Sequence, residues 1–364
     1  MNKKLLAFAV ATAFAAPMVA NADSGNVTLS GKVAASLSQV GGTGGAGNNN
    51  THQVNNENSN INLAGSEDLG GGMKAFFSLT YTLPLANAGT FSGQNQIAGL
   101  EGAFGKVFMG AFDNPLKVMG RGVDFFGDQT AGDSRTLTGR GAVEARANDV
   151  VAYISPSFSG AQLVLAHSNN PLTAVAAGCA TINPAATGCA TPADGDTSMN
   201  IIKLAYANGP LNLALGYHRV DSQYIFNDAG KETAWRLTGA YTAGALKVAG
   251  TYQKVNHAYN AADKAAGADN KVWGLGASYA IGATTVKAQY YKLTDDVSDA
   301  GANMFALGAD YSLSKRTTLQ AAYSRVGNDK GVAYGNSMVG GADTYAIATG
   351  ANPNRFALGL KHTF

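Results

Sequence analysis

Pairs of alternating segments, joined by very short breaks, recur along most of the chain. Residues 211–217 read LNLALGY and follow the break NGP at 208–210, and similar pairs flank residues 242–245 and 280–282. Because side chains of a β-strand point alternately to opposite faces, each segment has one apolar face and one small or polar face. Such pairs with turn residues between them are typical of β-hairpins. The chain is therefore predicted to be all-β and built from antiparallel hairpins.

Aromatic residues indicate what covers the apolar faces. Tyrosines bracket the apolar positions at both strand ends, whereas the opposite positions carry polar residues such as Lys247, Gln253 and Lys287. Tyrosine at both edges of an apolar band is typical of membrane interfaces. The strands of a soluble β-sandwich also alternate apolar and polar residues, so a soluble β-sandwich is the second interpretation. The bracketing tyrosines are Tyr206, Tyr217, Tyr241, Tyr252, Tyr279, Tyr290, Tyr311 and Tyr323.

Sixteen segments of this kind predict a 16-stranded antiparallel transmembrane β-barrel. Closure pairs the last strand, RFALGLKHTF at 355–364, with the first and removes the sheet edges that lipid would leave unsatisfied. A barrel of this width leaves water inside. The predicted spans are 26–39, 59–68, 73–83, 95–102, 106–113, 148–155, 161–168, 198–207, 211–220, 231–242, 246–255, 271–280, 283–293, 303–311, 316–326 and 354–364.

The first residues are typical of a signal peptide. Lys3 and Lys4 precede an apolar run, and Ala20-Asn21-Ala22 supplies a cleavage pattern. We expect residues 1–22 to be removed and 23–364 to form the barrel domain. Without those lysines the chain carries 24 basic and 24 acidic residues, so a nucleic-acid partner is not expected.

The two cysteines, Cys179 and Cys189, lie in one polar stretch. In an exported chain such a pair predicts a short loop disulfide, with two unpaired surface thiols as the alternative. No cofactor, metal site or enzyme is predicted, because the five histidines lack ligand spacing and the near-motifs GAFGKV and GNSMV each miss a required residue.

A charged stretch of more than 30 residues, 114–147, separates two predicted strands. Stretches of this length in compact folds are usually functional, and Val123, Phe125 and Phe126 could anchor it. An external loop with solvated charges is the alternative. Its candidate functional residues are Arg121, Asp124, Asp128, Asp133, Arg135, Arg140, Glu144 and Arg146.

Several motifs, spread over nearly the whole chain, resemble those of the general diffusion porins of β-proteobacteria. They are NLAGSEDLGGGMKAFF (62–77), FMGAFDNPLK (108–117), YISPSFSGAQL (153–163), YSLSKRT (311–317) and the terminal LGLKHTF. The resemblance implies a homotrimer in the bacterial outer membrane and a third external loop, here 114–147, folded inward as a constriction loop. It also implies contact with lipid and lipopolysaccharide, and a terminal Phe364 that the outer-membrane assembly machinery recognises.

Alternate positions of each strand point out of the barrel or into it, and these two sets are here called outward and inward parity. Residues of inward parity are predicted to include a set of basic side chains on the pore wall opposite that loop. Acidic loop residues facing them would create a transverse field, and the basic wall favours weak anion preference. The expected function is passive diffusion of ions and small hydrophilic solutes; the alternatives are a solute-specific channel and a surface adhesin. The predicted wall residues are Lys32, Lys74, Lys106, Lys203, Arg236, Lys247 and Lys287.

Overall fold

A computed structural model of the protein describes residues 26–44, 51–86, 89–171, 197–222, 231–256, 269–296, 298–335 and 347–364. Strands account for most of them. The strands are β1 (Asn26–Gly41), β2 (Thr51–Asn56), β3 (Asn60–Gly70), β4 (Met73–Thr82), β5 (Ser92–Gly102), β6 (Gly105–Asp113), β7 (Arg146–Ile154), β8 (Ala161–Asn170), β9 (Thr197–Asn208), β10 (Leu211–Ser222), β11 (Lys231–Ala243), β12 (Leu246–Asn256), β13 (Asn270–Ile281), β14 (Thr284–Asp295), β15 (Ala302–Ser312), β16 (Thr317–Asn328) and β17 (Asn354–Thr363).

The strands form one closed antiparallel barrel. Consecutive strands from β3 to β17 pair with each other, and β17 pairs with β1. β2 and β3 both pair with β1, along its second and first halves respectively, so together they occupy one of sixteen positions. Every predicted strand is present, and the sixteen-stranded prediction is confirmed.

The outer and inner faces follow the parity expected from the sequence. On β13, Trp273 and Leu275 point outward and are 39% and 63% exposed, whereas Val272, directly before Trp273, is buried. Cross-strand partners share a face, so this parity continues from strand to strand. A continuous apolar surface therefore faces outward, and polar side chains such as Gln253 and Gln289 face the interior.

The strand β2 differs from the sequence prediction, which ended the first strand at residue 39 and began the second at residue 59. Thr51–Asn56 pairs with β1 although its sequence, THQVNN, has a single apolar residue, Val54, and so lacks the alternating pattern that predicts a strand. At the break between β2 and β3, the Ser59 hydroxyl substitutes for backbone pairing: it accepts from the Ala34 amide and donates to the Ala34 carbonyl, both at 2.9 Å. The strand resumes at Asn60, and Glu57 is turned into the interior, where it is buried.

The 32 residues between β6 and β7 hold the described helical elements. They are α1 (Pro115–Val123), α2 (Arg135–Thr138) and a 3₁₀ helix (Gly141–Glu144). Among the described residues, no helix has the length and apolar character needed to cross a bilayer.

Candidate functional site

Residues 114–145, here called the inserted segment, lie inside the barrel. Phe126, with no exposed surface, packs against Ala306, Ala322 and Ala357, which are inward residues of three neighbouring strands. Leu116, equally buried, belongs to a separate apolar cluster with residues of β6 to β12. One short segment that contacts both sides of the strand ring must cross the enclosed space.

Local sequence explains how the segment enters the lumen. Asn114 caps α1, because its side-chain oxygen accepts from the Leu116 amide at 2.9 Å, and Pro115 occupies the first helical position. Helix α1 then buries Leu116, Met119 and Val123 against the wall. The apolar side of α1 thus fixes the first part of the segment to β10, β11 and β12.

Both ends of the inserted segment are held by one buried polar cluster on β10 and β11. The Asn114 amide donates to the Ala142 carbonyl at 3.1 Å and lies 2.9 Å from Nδ1 of His218. Glu232 accepts from the Ala142 amide at 2.8 Å and lies 3.1 Å from Nε2 of His218. Gly141 has φ of 60°, and a Cβ there would lie 2.3 Å from a Glu232 oxygen, so this approach requires glycine.

Arg236 is the principal wall residue that holds α1 and the 3₁₀ helix. Its side chain has no exposed surface, and its guanidinium donates to the Leu116 carbonyl at 2.6 Å, to Glu144 at 2.8 Å and to Gln253 at 2.9 Å. Gln253 in turn donates to the Thr138 carbonyl at 3.0 Å. A buried guanidinium needs such charge-assisted partners, and here they tie three turns of the segment to β11 and β12.

In the middle of the segment, Asp124 is held by neutral donors. Its carboxylate accepts from the Phe126 amide at 2.9 Å, the Ser134 amide at 2.8 Å and the Gln289 side chain of β14 at 2.9 Å. Burial and the proximity of Asp133 raise the pKa of Asp124 to about 6. This carboxyl therefore titrates near neutral pH.

At the far side, Asp128 joins the segment to β1 in a cluster of opposite charges. Its carboxylate lies 2.9 Å from Lys32 Nζ, 2.7 Å from Arg121 and 3.2 Å from Arg135. Arg135 also pairs with Asp133. Burial opposes ionisation of Asp128, but Lys32 and Arg121 outweigh it and lower its pKa to about 2.

Glu57, from the break between β2 and β3, provides the last attachment. It accepts from the Thr130 amide at 2.9 Å and the Thr130 hydroxyl at 2.8 Å, and it also bonds the Ser36 hydroxyl. Polar contacts thus fix the inserted segment at three places around the ring, β10 to β12, β14, and β1 with the β2–β3 break, in addition to the apolar packing of Phe126 against β15 to β17.

The structure brings only some of the predicted wall residues to the segment. Lys32 and Arg236 pair with it, Lys247 Nζ lies 3.4 Å from the Gly122 carbonyl, and Lys287 pairs with Asp310 while lying over the Phe126 ring at 4.7 Å. Lys203 forms no ion pair with any carboxylate in the described part of the chain.

Lys74 and Lys106 lie apart from the segment, toward the short-turn end. Lys106 pairs with Glu101 at 2.7 Å and lies over the Phe76 ring, and Lys74 lines the same recess as that pair.

The predicted acidic residues do not all face the wall cations. Asp133 pairs with Arg135 of its own segment, and Asp124 meets Gln289, so the expected direct opposition to wall lysines holds for Asp128 alone among the three. Arg146 begins β7 instead of ending the loop and pairs with Asp113 at 3.0 Å. Arg140 lies 5.2 Å from the Tyr334 ring centroid.

Two further predictions concern residues away from the lumen. Phe364 closes the barrel, because its amide and carbonyl bond to Gly31 at 3.1 and 3.2 Å, and its ring is 41% exposed on the outer face. Cys179, Cys189 and the predicted signal peptide lie outside the described residues.

Glu57, His218, Glu232 and Gln289 hold the segment and were not predicted as site residues. The inward parity of His218, Glu232 and Gln289 could identify them as lumen-facing. Nothing local identifies the partners of the four residues in the inserted segment, which lie 73 to 165 residues away. Glu57 had no such signal, because its polar surroundings predicted a surface loop.

Comparison with known proteins gives consistent matches. The sequence profile described as Gram-negative porin matches residues 7–331. Outer membrane porin protein 32 of Delftia acidovorans is 27% identical over 388 residues, with 100% of both chains covered. An anion-selective porin from Comamonas acidovorans superposes with a TM-score of 0.73 at 24% identity, covering 93% of this chain and 100% of that one. The trimer form of OmpT of Vibrio cholerae superposes with a TM-score of 0.64 at 16% identity, covering 94% of this chain and 100% of that one.

Proposed function

The chain belongs to the Gram-negative porin family and forms a diffusion channel in the bacterial outer membrane, and from that premise we propose how the channel selects its solutes. The inserted segment is its constriction loop, past which ions and small hydrophilic solutes diffuse passively. The lumen beside that loop weakly prefers anions.

The observation that carries the preference is the state of the loop's four carboxyl groups. Asp128, Asp133 and Glu144 each pair with at least one lysine or arginine at 3.2 Å or less, and Asp124 is bonded by two amides and Gln289. Three of the four carboxylates are therefore compensated by nearby cations, and hydrogen bonds from neutral donors occupy the carboxylate of Asp124, so all four attract a passing cation weakly.

Lysines on the wall are less fully compensated. Lys247 reaches the loop through the Gly122 carbonyl and lies 5.6 Å from the Phe125 ring centroid, and Lys203 faces the same interior without a described carboxylate partner. With a Debye length of about 8 Å at physiological salt, such charges act on any ion in a narrowed pore. Anions are thus favoured at the constriction.

Reversal potentials across planar bilayers in a gradient of potassium chloride test this proposal. We expect chloride to permeate better than potassium. Lys247→Gln and Lys203→Gln should each reduce the ratio of chloride to potassium permeability. Lys231→Gln is the matched control, because Lys231 has the outward parity of β11 and should leave the ratio unchanged. A wild-type channel that prefers potassium would refute the anion preference while leaving the family assignment intact.

The same premise supports two proposals about assembly and chemistry. The trimer form of a structural neighbour supports a homotrimer for this chain, which light scattering of the refolded protein in detergent would test. The relatives are channels, and we propose that this chain likewise has no catalytic activity. Saturation or block of the current by a single metabolite would instead favour the solute-specific alternative.

A further inference from the structure

Four charged side chains form one row across the inner wall at the short-turn end of the barrel. Asp68, Lys74, Glu101 and Lys106 belong to β3, β4, β5 and β6, and strand register places each directly opposite the next. Cross-strand partners share a face, and the last three residues line the same recess on the inner surface. We call these four residues the charged row.

The charged row alternates in sign and has no net charge. Two carboxylates and two ammonium groups follow one another at the spacing of adjacent strands, about 4.8 Å. Seen from a distance the opposite charges cancel, so the row attracts neither simple anions nor simple cations strongly. At contact distance it presents a positive and a negative group side by side.

The ion pair within the row is open to the lumen. Lys106 Nζ lies 2.7 Å from Glu101 and 4.4 Å from the centroid of the Phe76 ring, which holds the ammonium beside the carboxylate. The two side chains are 39% and 34% exposed, compared with 21% and 18% for the Lys32–Asp128 pair that docks the inserted segment. An exposed ion pair between strands that backbone hydrogen bonds already join adds little stability. The pair is therefore accessible to a solute and contributes little to the fold.

Lys74 lies between the two carboxylates of the row, Asp68 and Glu101, and forms an ion pair with neither. Asp68 instead accepts from the Gly70 amide at 2.8 Å, and Glu101 pairs with Lys106. The Lys74 ammonium donates no hydrogen bond within the described part of the chain. An available ammonium group thus stands beside a carboxylate that Lys106 contacts from the other side.

Glycines make room for a solute at the charged row. The recess has a volume of about 500 Å³, within the range of ligand pockets, and Ile154 adds an apolar surface to it. It lies at the short-turn end of the lumen, which faces the periplasm in outer-membrane barrels. A solute that has passed the constriction loop therefore reaches it. The other lining residues are Gly72, Gly102, Gly105, Ser155 and Gln162.

We propose that the charged row is a subsite for small zwitterionic solutes, the α-amino acids, on the periplasmic side of the constriction loop. The carboxylate of the solute pairs with the Lys74 ammonium, and the ammonium group of the solute pairs with Glu101. Because the two charges of an α-amino acid are one carbon apart, one molecule contacts both neighbouring groups, whereas a simple carboxylate or amine contacts only one. An apolar side chain of the solute lies against Ile154. The subsite rests on the proposed passive diffusion through the lumen and is independent of the anion preference at the constriction.

The test compares three solutes of similar shape: leucine, its deaminated analogue 4-methylpentanoate and its decarboxylated analogue 3-methylbutylamine. Saturation-transfer NMR titrations of the refolded protein in detergent at pH 7 give the dissociation constants. The variants are Lys74→Gln, Glu101→Gln and the two combined. Lys361→Gln is the matched control, because Lys361 has the inward parity of Ala357 on β17 and lies at the same end of the barrel on another part of the wall. Folding is checked by the heat-dependent shift in electrophoretic mobility.

We expect wild type to bind leucine more tightly than it binds either analogue. Each single substitution should weaken leucine binding about 1.4- to 5-fold and the double substitution about 2- to 25-fold, which is the range for exposed charge pairs. Glu101→Gln should in addition strengthen the binding of 4-methylpentanoate, because it releases the Lys106 ammonium. A folding defect would weaken the binding of both solutes, so this opposite change identifies a direct role of Glu101.

Two results would overturn the proposal: wild type that binds leucine no better than 4-methylpentanoate, or unchanged leucine binding in the double variant. Equal weakening by Lys361→Gln would show a general effect of charge in the lumen and would overturn the assignment to the charged row. Conductance and reversal potentials of the same wild-type preparation test diffusion and anion preference separately. A failure of the proposed function is thereby distinguished from a failure of this subsite.

Discussion

Replacing Arg236 by methionine should release the constriction loop from β11 and β12. The substitution removes bonds of 2.6, 2.8 and 2.9 Å to the Leu116 carbonyl, Glu144 and Gln253, and it leaves the Glu144 carboxylate, whose side chain is 8% exposed, without its guanidinium. Removing one partner of a buried ion pair costs about 3–5 kcal/mol. At 1.4 kcal/mol for each factor of ten, the docked loop should be disfavoured by a factor of about 10²–10³ or more.

Single-channel recording gives a direct assay for this loss. We expect Arg236→Met trimers to show frequent current fluctuations and altered mean conductance, because the loop samples undocked positions in the pore. Arg236→Lys should be intermediate, since an ammonium cannot reproduce the three-way guanidinium fork. Adding Glu144→Gln to Arg236→Met should reduce the current fluctuations part of the way to the wild-type level, because it removes the unpaired charge. A double-mutant cycle measures this coupling.

The matched control for Arg236 is Lys231→Gln, on the same strand but with outward parity, and it should conduct like wild type. The reasoning is refuted if Arg236→Met has wild-type conductance and noise together with an unchanged unfolding temperature. In that case Arg236 would contribute nothing measurable to docking, despite its burial and its three partners.

Three further predictions address the other attachments of the loop. Burial and Asp133 raise the pKa of Asp124 to about 6. The contribution of Asp124 to loop docking is therefore complete below about pH 4, the usual range of an aspartate pKa, and is lost as the pH rises through 6. Current noise should increase between pH 5 and 8 in wild type and stay constant in Asp124→Asn. Glu57→Gln should weaken docking at β1 by about 1.5–3 kcal/mol and increase noise, unlike Glu67→Gln on the outer face. Gly141→Ala should cost at least about 1–2 kcal/mol from its left-handed backbone, lowering the unfolding temperature in circular dichroism melts.

The sequence predicted the strands well because the lipid imposes a simple rule. Residues such as Trp273 and Leu275 must point outward and Val272 inward. Because strand side chains alternate between the two faces, the local sequence shows which residues point to the lipid. The rule failed at Thr51–Asn56, where polar residues form a strand through pairing with β1 and Val54 is the one outward apolar residue of the six. There the partner strand decides the conformation, and a local pattern does not contain it.

For the loop, the sequence identified the charged residues but could assign few of their contacts. Lys32 and Arg236 have the predicted inward parity, yet only the fold shows that one meets Asp128, 96 residues away, and the other Glu144, 92 residues away. Glu57 and Gln289 gave no sign that they would hold the loop at all.

The order and sidedness of the sixteen barrel positions were determined by the sequence alone, because each depends on residues one or two positions apart and on the solvent they must meet. The path of the inserted segment and the compensation of its carboxylates were decided by the tertiary structure. These features depend on strand register and on closure of the ring, which set the distance between residues that are remote in the chain.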